Sequence, residues 1–153
     1  DFLHVYFPNY VKETAYEFLY SEGGQLVSVG NYWRDPHHLP LFFNYSTFLA
    51  RVDNVVDTPN ATQFKENFLK LKKLILIGGP NDGIICPWQS SHFGFFDENE
   101  DVVEMKLRNI YTDDTFGLRS LDLSGRITTV TVPGIKHPEW HTNTSVIDNH
   151  ILP

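Results

Sequence analysis

Cysteine is almost missing from this chain. Cys86 is the only one in 153 residues, so an intrachain disulfide cannot form and a cysteine-based zinc site is excluded. Long apolar runs are missing as well: stretches such as Leu74 to Ile77 fall far short of the roughly 20 residues a helix needs to cross a bilayer. No transmembrane segment is expected. Basic residues are in deficit, 12 against 19 acidic ones, and the formal charge of -7 repels phosphate backbones and anionic headgroups wherever no local basic patch intervenes. Nucleic acid is not expected as a partner. Position 1 is Asp rather than Met, and the chain stops at Pro153, which reads as a fragment or a processed piece. No basic and apolar leader precedes Phe2, so any secretory signal is expected upstream or already removed.

What is present suits one globular unit, with 41% hydrophobic and 20% charged residues, enough apolar side chain to bury a core. Asn44-Tyr45-Ser46, Asn60-Ala61-Thr62 and Asn143-Thr144-Ser145 fit the acceptor pattern for N-glycosylation, which favours a lumenal or secreted protein. Composition shifts near residue 70. Before it, Val11, Ala15, Phe18 and Leu19 recur at helical spacing, and Phe48, Leu49, Val52, Val55 and Val56 form an apolar stripe after a cap at Ser46. Asn60 can cap a third helix that places Ala61, Phe64, Phe68 and Leu71 on one face. Between the first two helices a strand is expected over Leu26 to Val29, then a loop from Asn31 to Pro40, where two prolines fall within five residues.

After residue 70 the pattern changes. Leu74 to Ile77 is a continuous apolar run stopped by Gly78-Gly79-Pro80, the form of a short strand buried on both faces of a parallel sheet. Arg126 to Val132 is rich in β-branched residues and ends at Pro133-Gly134, a second strand. Asp113 or Asp114 can cap a short helix between them, with Gly125 at its C-terminal turn. Strand, helix and strand make an α/β crossover, and the remaining strands of the sheet are expected upstream of Asp1.

Two loops follow the two strands, and ligands in open α/β sheets gather beyond the carboxyl ends of strands. Asp82 lies in the first and His137 in the second. An Asp–His pair is the orienting half of a nucleophilic triad, in which the carboxylate fixes the imidazole tautomer so that Nε2 takes a proton from a serine. Acid before base is the order of α/β-hydrolases, whose serine comes first, yet no Gly-x-Ser-x-Gly occurs among these residues. Blander readings stand beside this one. Asn81-Asp82-Gly83 is a common turn sequence, and a loop histidine is ordinarily solvated. His137 and His141 have the spacing of helical metal ligands, but Pro138 opposes a helix, and His37-His38 reads as surface, so no metal is expected.

Longer motifs narrow the choice. Gly78-Gly-Pro-Asn-Asp-Gly-Ile-Ile-Cys-Pro-Trp-Gln-Ser-Ser-His-Phe-Gly-Phe-Phe96, Asn99-Glu-Asp-Val-Val-Glu-Met105, Tyr111-Thr-Asp-Asp-Thr-Phe-Gly-Leu118 and Gly134-Ile-Lys-His-Pro-Glu-Trp-His141 together resemble the palmitoyl-protein thioesterase family, closest to its lysosomal branch. Asn31-Tyr-Trp-Arg-Asp-Pro-His-His38, Ser46-Thr-Phe-Leu-Ala50 and Pro59-Asn-Ala-Thr62 extend the resemblance over most of the chain. It implies an α/β-hydrolase fold, with Asp82 as triad acid, His137 as base and the serine in an upstream segment. Residues 1–70 then resemble a helical insertion that lines an acyl groove, and residues 71–153 the C-terminal part of the core. Such a groove should be long, apolar and poor in charge, with Trp33, Phe42, Phe43, Phe48 and Leu49 as candidate lining residues beside the plain reading of core packing. Trp88 and Phe93 fit either the groove edge or packing under the acid loop. The implied substrate is a palmitoyl thioester, carried by coenzyme A or by an S-acylated protein, with no cofactor, and the implied compartment is the lysosomal lumen, where Asn44, Asn60 and Asn143 would be glycosylated. This chain alone should be inactive. Two departures stand out: Cys86 sits where a threonine-like residue is expected, and the segment from Tyr10 to Gly30 lacks the cysteines of relatives. The C-terminal helix of Val146, Ile147, His150 and Ile151 reads as cut short at Pro153. Another serine esterase or lipase on the same fold, or a non-catalytic glycosylated lumenal binding domain, remain the alternatives.

Overall fold

The computed structural model describes residues 14–152, so the part of the first helical pattern carried by Val11 lies outside the described residues. The apolar run forms β1 (Leu74–Gly78), which pairs in parallel with β4 (Ile127–Thr131), in register from Leu74 opposite Ile127 to Gly78 opposite Thr131. Parallel neighbours cannot be joined by a tight turn, and the connection runs through helices. Within it, β2 (Phe95–Phe96) and β3 (Val102–Val103) make a small antiparallel ladder, followed by α6 (Asn109–Thr112) and α7 (Leu118–Leu123). Of the two candidate caps, Asp113 closes α6, while Asp114 reaches forward to α7 and accepts from the amide and hydroxyl of Ser120 at 3.0 and 2.6 Å. Gly125, at φ +72, takes the left-handed turn after α7 that a side chain would strain. Only Leu76 and Gly78 of β1 are fully buried, so the strand is covered less completely than a run of four apolar residues predicts.

Residues before β1 are helical: α1 (Ala15–Leu19), α2 (Ser28–Tyr32), α3 (Leu39–Tyr45), α4 (Leu49–Val52) and α5 (Ala61–Phe68). The strand expected over Leu26 to Val29 does not form. Gln25 is buried there, and its side-chain amide donates to the carbonyls of Leu19 and Gly30 at 2.7 and 3.0 Å while its Oε1 accepts from the Thr47 amide. Those contacts wind the chain into a turn at Gly24–Leu26 and then α2. The expected loop to Pro40 also ends early, because Pro40 sits in the first turn of α3, where a missing N–H costs nothing. The stripe after Ser46 breaks at Asn54, which turns left-handed at φ +50; Ser46 still accepts from the Ala50 amide at 3.2 Å. At the other end, Asn143 caps α8 (Thr144–Val146) by accepting from the Val146 amide, and Ile147–Ile151 continues as a wider π turn.

Two clusters hold these elements. Leu76, Met105, Ile110, Tyr111, Phe116 and Leu118 pack between the parallel pair and α5 to α7, with Phe68 edge-on to Phe116. Tyr20, Phe42 and Ala50 form the centre of the helical part. Val55 touches both clusters and joins them.

Candidate active site

The site begins where β1 ends. Gly79 lies so close to the other strand-end loop that a Cβ there would sit 2.1 Å from the Val132 carbonyl oxygen, so only glycine permits the approach. Beyond it the two loops are tied by backbone and side chain: the Gly134 amide donates to Asn81 Oδ1 at 2.8 Å, and the His137 amide to the Asp82 carbonyl at 2.9 Å. Asp82 folds its own loop, Oδ1 accepting from the amides of Ile84 and Ile85 at 3.0 and 2.7 Å. The turn reading of Asn81-Asp82-Gly83 is therefore correct as local structure, with Gly83 at φ +80. It does not exhaust what Asp82 does.

The ring of His137 turns its Nδ1 toward the Asp82 carboxylate, 3.0 Å from Oδ2 and 3.1 Å from Oδ1. Trp140 completes the carboxylate's surroundings, its indole N–H donating to Oδ2 at 2.7 Å. Asp82 is only 8% exposed, whereas 44% of the His137 side chain is open. Burial pushes the Asp82 carboxyl up, but the Ile85 amide, the His137 ring, the Trp140 indole and the Ile84 amide outweigh it and hold the group below the usual carboxylate range. A carboxylate that stays charged beside Nδ1 assigns the proton to that nitrogen and leaves Nε2 as the free base. The arrangement can hold an imidazole in one tautomer and stabilise it once it is protonated.

Nothing in the spacing of Trp140, within the stretch from Gly134 to His141, marks it as a donor to a carboxylate 58 positions away. Two other histidines are placed elsewhere. His37 Nε2 meets Glu100 at 3.2 Å, and His38 pairs with Asp35 at 2.8 Å and stacks on Tyr16. Among the described residues no grouping of three or more His, Cys, Asp and Glu side chains could hold a metal ion.

The five aromatic and aliphatic candidates for an acyl groove separate. Phe42 and Phe43 line a cleft of about 450 Å³, and Phe48 lines another of about 390 Å³ with Ser28, Asn31, Tyr32 and Thr47. Trp33 and Leu49 line neither and pack on the Tyr20 cluster. The larger cleft is not poor in charge, since Arg34, Asp53, Asp97, Glu98 and Arg108 share its walls, and neither cleft includes Asp82 or His137. Phe93 packs against Phe116 in the core and Trp88 lies edge-on to His92. Asn44 and Asn60 are exposed, and Asn143 is half-buried with its Oδ1 used as a cap.

The pattern of the palmitoyl protein thioesterase family matches residues 3–137, and so runs through Asp82 to His137 itself. The chain belongs to that family. It is 47% identical over 153 residues to the lysosomal thioesterase PPT2 homolog of Drosophila melanogaster, covering 100% of this chain and 53% of that protein. Against the lysosomal thioesterase PPT2 of Homo sapiens it is 46% identical over the same length, covering 51% of that protein. Palmitoyl-protein thioesterase 3 of Dictyostelium discoideum is 37% identical over 103 residues, 66% of this chain and 35% of the other. The chain thus spans about half the length of the curated relatives it matches most fully. Its mixture of helices with a parallel strand pair agrees with part of an α/β-hydrolase fold. Among the described residues no helix is long and apolar enough to cross a membrane.

Proposed function

We propose that this chain carries the acid and the base of a serine hydrolase that cleaves palmitoyl and related fatty-acyl thioesters, Asp82 and His137 serving a serine outside residues 1–153. The observation that supports it is the contact between the Asp82 carboxylate and His137 Nδ1, joined to membership of the family. In this reading the serine hydroxyl attacks the thioester carbonyl and gives its proton to Nε2 of His137. Asp82 stabilises the imidazolium that results, and the tetrahedral adduct collapses by breaking its carbon–sulfur bond. A thiol has a pKa of about 8.5, so its thiolate leaves readily. The imidazolium gives its proton to the departing thiolate; the neutral His137 then takes a proton from water as the hydroxide attacks the acyl-serine, and returns it to the serine oxygen as the fatty acid is released. The oxyanion needs two backbone N–H donors, one next to the serine, and these too belong to the part of the protein this chain does not contain.

Residues 71–153 serve as the C-terminal part of the catalytic core, and residues 1–70 as a helical cover on it. The relatives' printed names support a lysosomal setting, and the acceptor patterns at Asn44, Asn60 and Asn143 suit a lumenal route to it. In this reading Phe43 and Phe48, exposed residues that each line a cleft, are candidates to meet an acyl chain, with Phe42 buried behind them.

The test uses the full-length protein with palmitoyl-CoA and an oxygen ester of the same acid. Wild type is expected to turn over the thioester faster than the ester, and His137→Ala to abolish both while folding normally by circular dichroism. Near-wild-type turnover in folded His137→Ala would remove that residue from the mechanism. Preference for the oxygen ester would move the protein to another esterase on the same fold.

A further inference from the structure

Away from Asp82 and His137, two guanidinium groups share one aromatic ring. Arg34 lies 4.7 Å and Arg108 5.6 Å from the centroid of Phe95, and Arg34 also lies 5.8 Å from that of Phe42. They differ in how they are satisfied. Arg108 donates to the Phe93 carbonyl at 2.7 Å, whereas the guanidinium of Arg34 has no acceptor among the described residues and its Nη1 is sealed from solvent. A buried guanidinium donor without a partner is expensive to withdraw from water, so the unpaired Nη1 of half-buried Arg34 at the wall of a cleft needs a reason.

The acid that both arginines feel is Asp53, yet it closes no direct ion pair with either among the described residues. Burial raises its carboxyl to about 6 against the pull of Arg108 and Arg34, so Asp53 is a reluctant counterion. Burial lowers Arg108, and Arg34 adds to the effect, but at about 10 it keeps its charge. Two further acids line the cleft. Asp97 spends its Oδ1 on the amides of Asn99 and Asp101 at 2.8 and 3.0 Å, and Glu98 is exposed. Between the charges, Leu39, Phe43, Phe96 and Val103 supply apolar wall in a space of about 450 Å³, the size of a small-molecule site.

We propose that this cleft binds a single anionic group, carboxylate or phosphate, on the Arg34 guanidinium, with the ligand's apolar body laid against Phe43 and Phe96. Planar guanidinium suits either head by paired hydrogen bonds, and the stacked ring holds it ready. The cleft includes neither Asp82 nor His137; the thioester reading offers its Phe43 to an acyl chain, whereas the anionic head on Arg34 is a further feature that Arg34→Gln tests by itself.

The experiment is calorimetric titration of the full-length protein carrying His137→Ala, so that turnover plays no part. The probes are dodecanoate, dodecyl phosphate, dodecyltrimethylammonium and inorganic phosphate. One or both anionic amphiphiles should bind, and whichever is tighter identifies the head; the cationic one should not bind, and inorganic phosphate should be at least tenfold weaker. Arg34→Gln should weaken the tighter anion at least tenfold, and Asp53→Asn should tighten it several-fold. Should Arg34→Gln fail to fold, exposed Phe43→Ala serves in its place and should weaken the amphiphile several-fold without changing inorganic phosphate. Equal binding of the cationic amphiphile, no binding of either anionic one, or indifference to Arg34→Gln and Asp53→Asn would overturn the proposal.

Discussion

Asp82 and Asp53 are both carboxylates withdrawn from water, one at the strand-end loops and one in the cleft beside the helices, and the protein treats them in opposite ways. Asp82 receives donors from Ile84, Ile85, His137 and Trp140 within 2.7 to 3.1 Å and stays ionised more readily than a free carboxylate. Asp53 has two cations in its surroundings but, among the described residues, no direct ion pair, and burial wins, raising it to about 6. Distance decides the difference. A hydrogen bond to a charged oxygen replaces the water that burial removed, whereas a cation held farther off only reduces the penalty. The first arrangement suits a group that must remain charged while a neighbour gains a proton. The second leaves the guanidinium of Arg34 with no direct counterion among the described residues.

The largest test of that contrast is Asp82→Asn in the full-length protein. It keeps the size of the side chain but removes the charge that orients His137, and turnover of a palmitoyl thioester should fall by about 10⁴-fold. A loss under tenfold in a folded variant would reduce Asp82 to a turn residue. Next comes Asp53→Asn, which should stabilise the protein at pH 7 by at most about 3 kcal/mol in urea unfolding. The sign follows from the raised carboxyl: the fold binds the proton more tightly than the unfolded chain, so the penalty is absent below about pH 4 and complete above about pH 6. The gap between variant and wild type should open across that window, and a destabilised variant at pH 7 would break the comparison.

Smaller still is Trp140→Phe. The ring keeps its place beside Gly79 but the donor to Asp82 is lost, at a cost of about 1.5 kcal/mol in stability and a fall in turnover well short of that for Asp82→Asn. Unchanged stability and turnover would mean that the amide pair holds the carboxylate unaided. The last test concerns slope alone. Because the Asp82 carboxyl is lowered in the fold, its contribution is complete above the ordinary carboxylate range and drains away as pH falls through the folded value. In Asp82→Asn this acid-side loss should flatten, while Asp53→Asn should leave it in place.

Much of the second half was readable from residue order. The runs at Leu74 and Ile127 name their strands because apolar and β-branched side chains favour a pleated, covered backbone, and Gly78 and Pro133 punctuate them. Asp82 and His137 stood out because each directly follows a strand. The helical half was harder. The stretch from Leu26 to Val29 has strand-like residues, but buried Gln25 supplies hydrogen bonds that close a turn and leave no neighbouring strand to pair with. The charged cleft beside Phe43 is not legible in residue order for a similar reason: Arg34, Asp53 and Arg108 are far apart in order and meet only when the chain is folded.

Residue order by itself determined the family, the parallel strand pair and the two loops in which an acid and an imidazole lie, because these depend on local patterns and on contiguous motifs. Tertiary structure alone decided that Trp140 holds the acid, that Asp53 resists its charge and that Arg34 has no acceptor among the described residues. Each of those is a matter of a few ångströms between residues distant in the chain. Hydrogen bonds and desolvation act over that range, and no spacing in the sequence measures it.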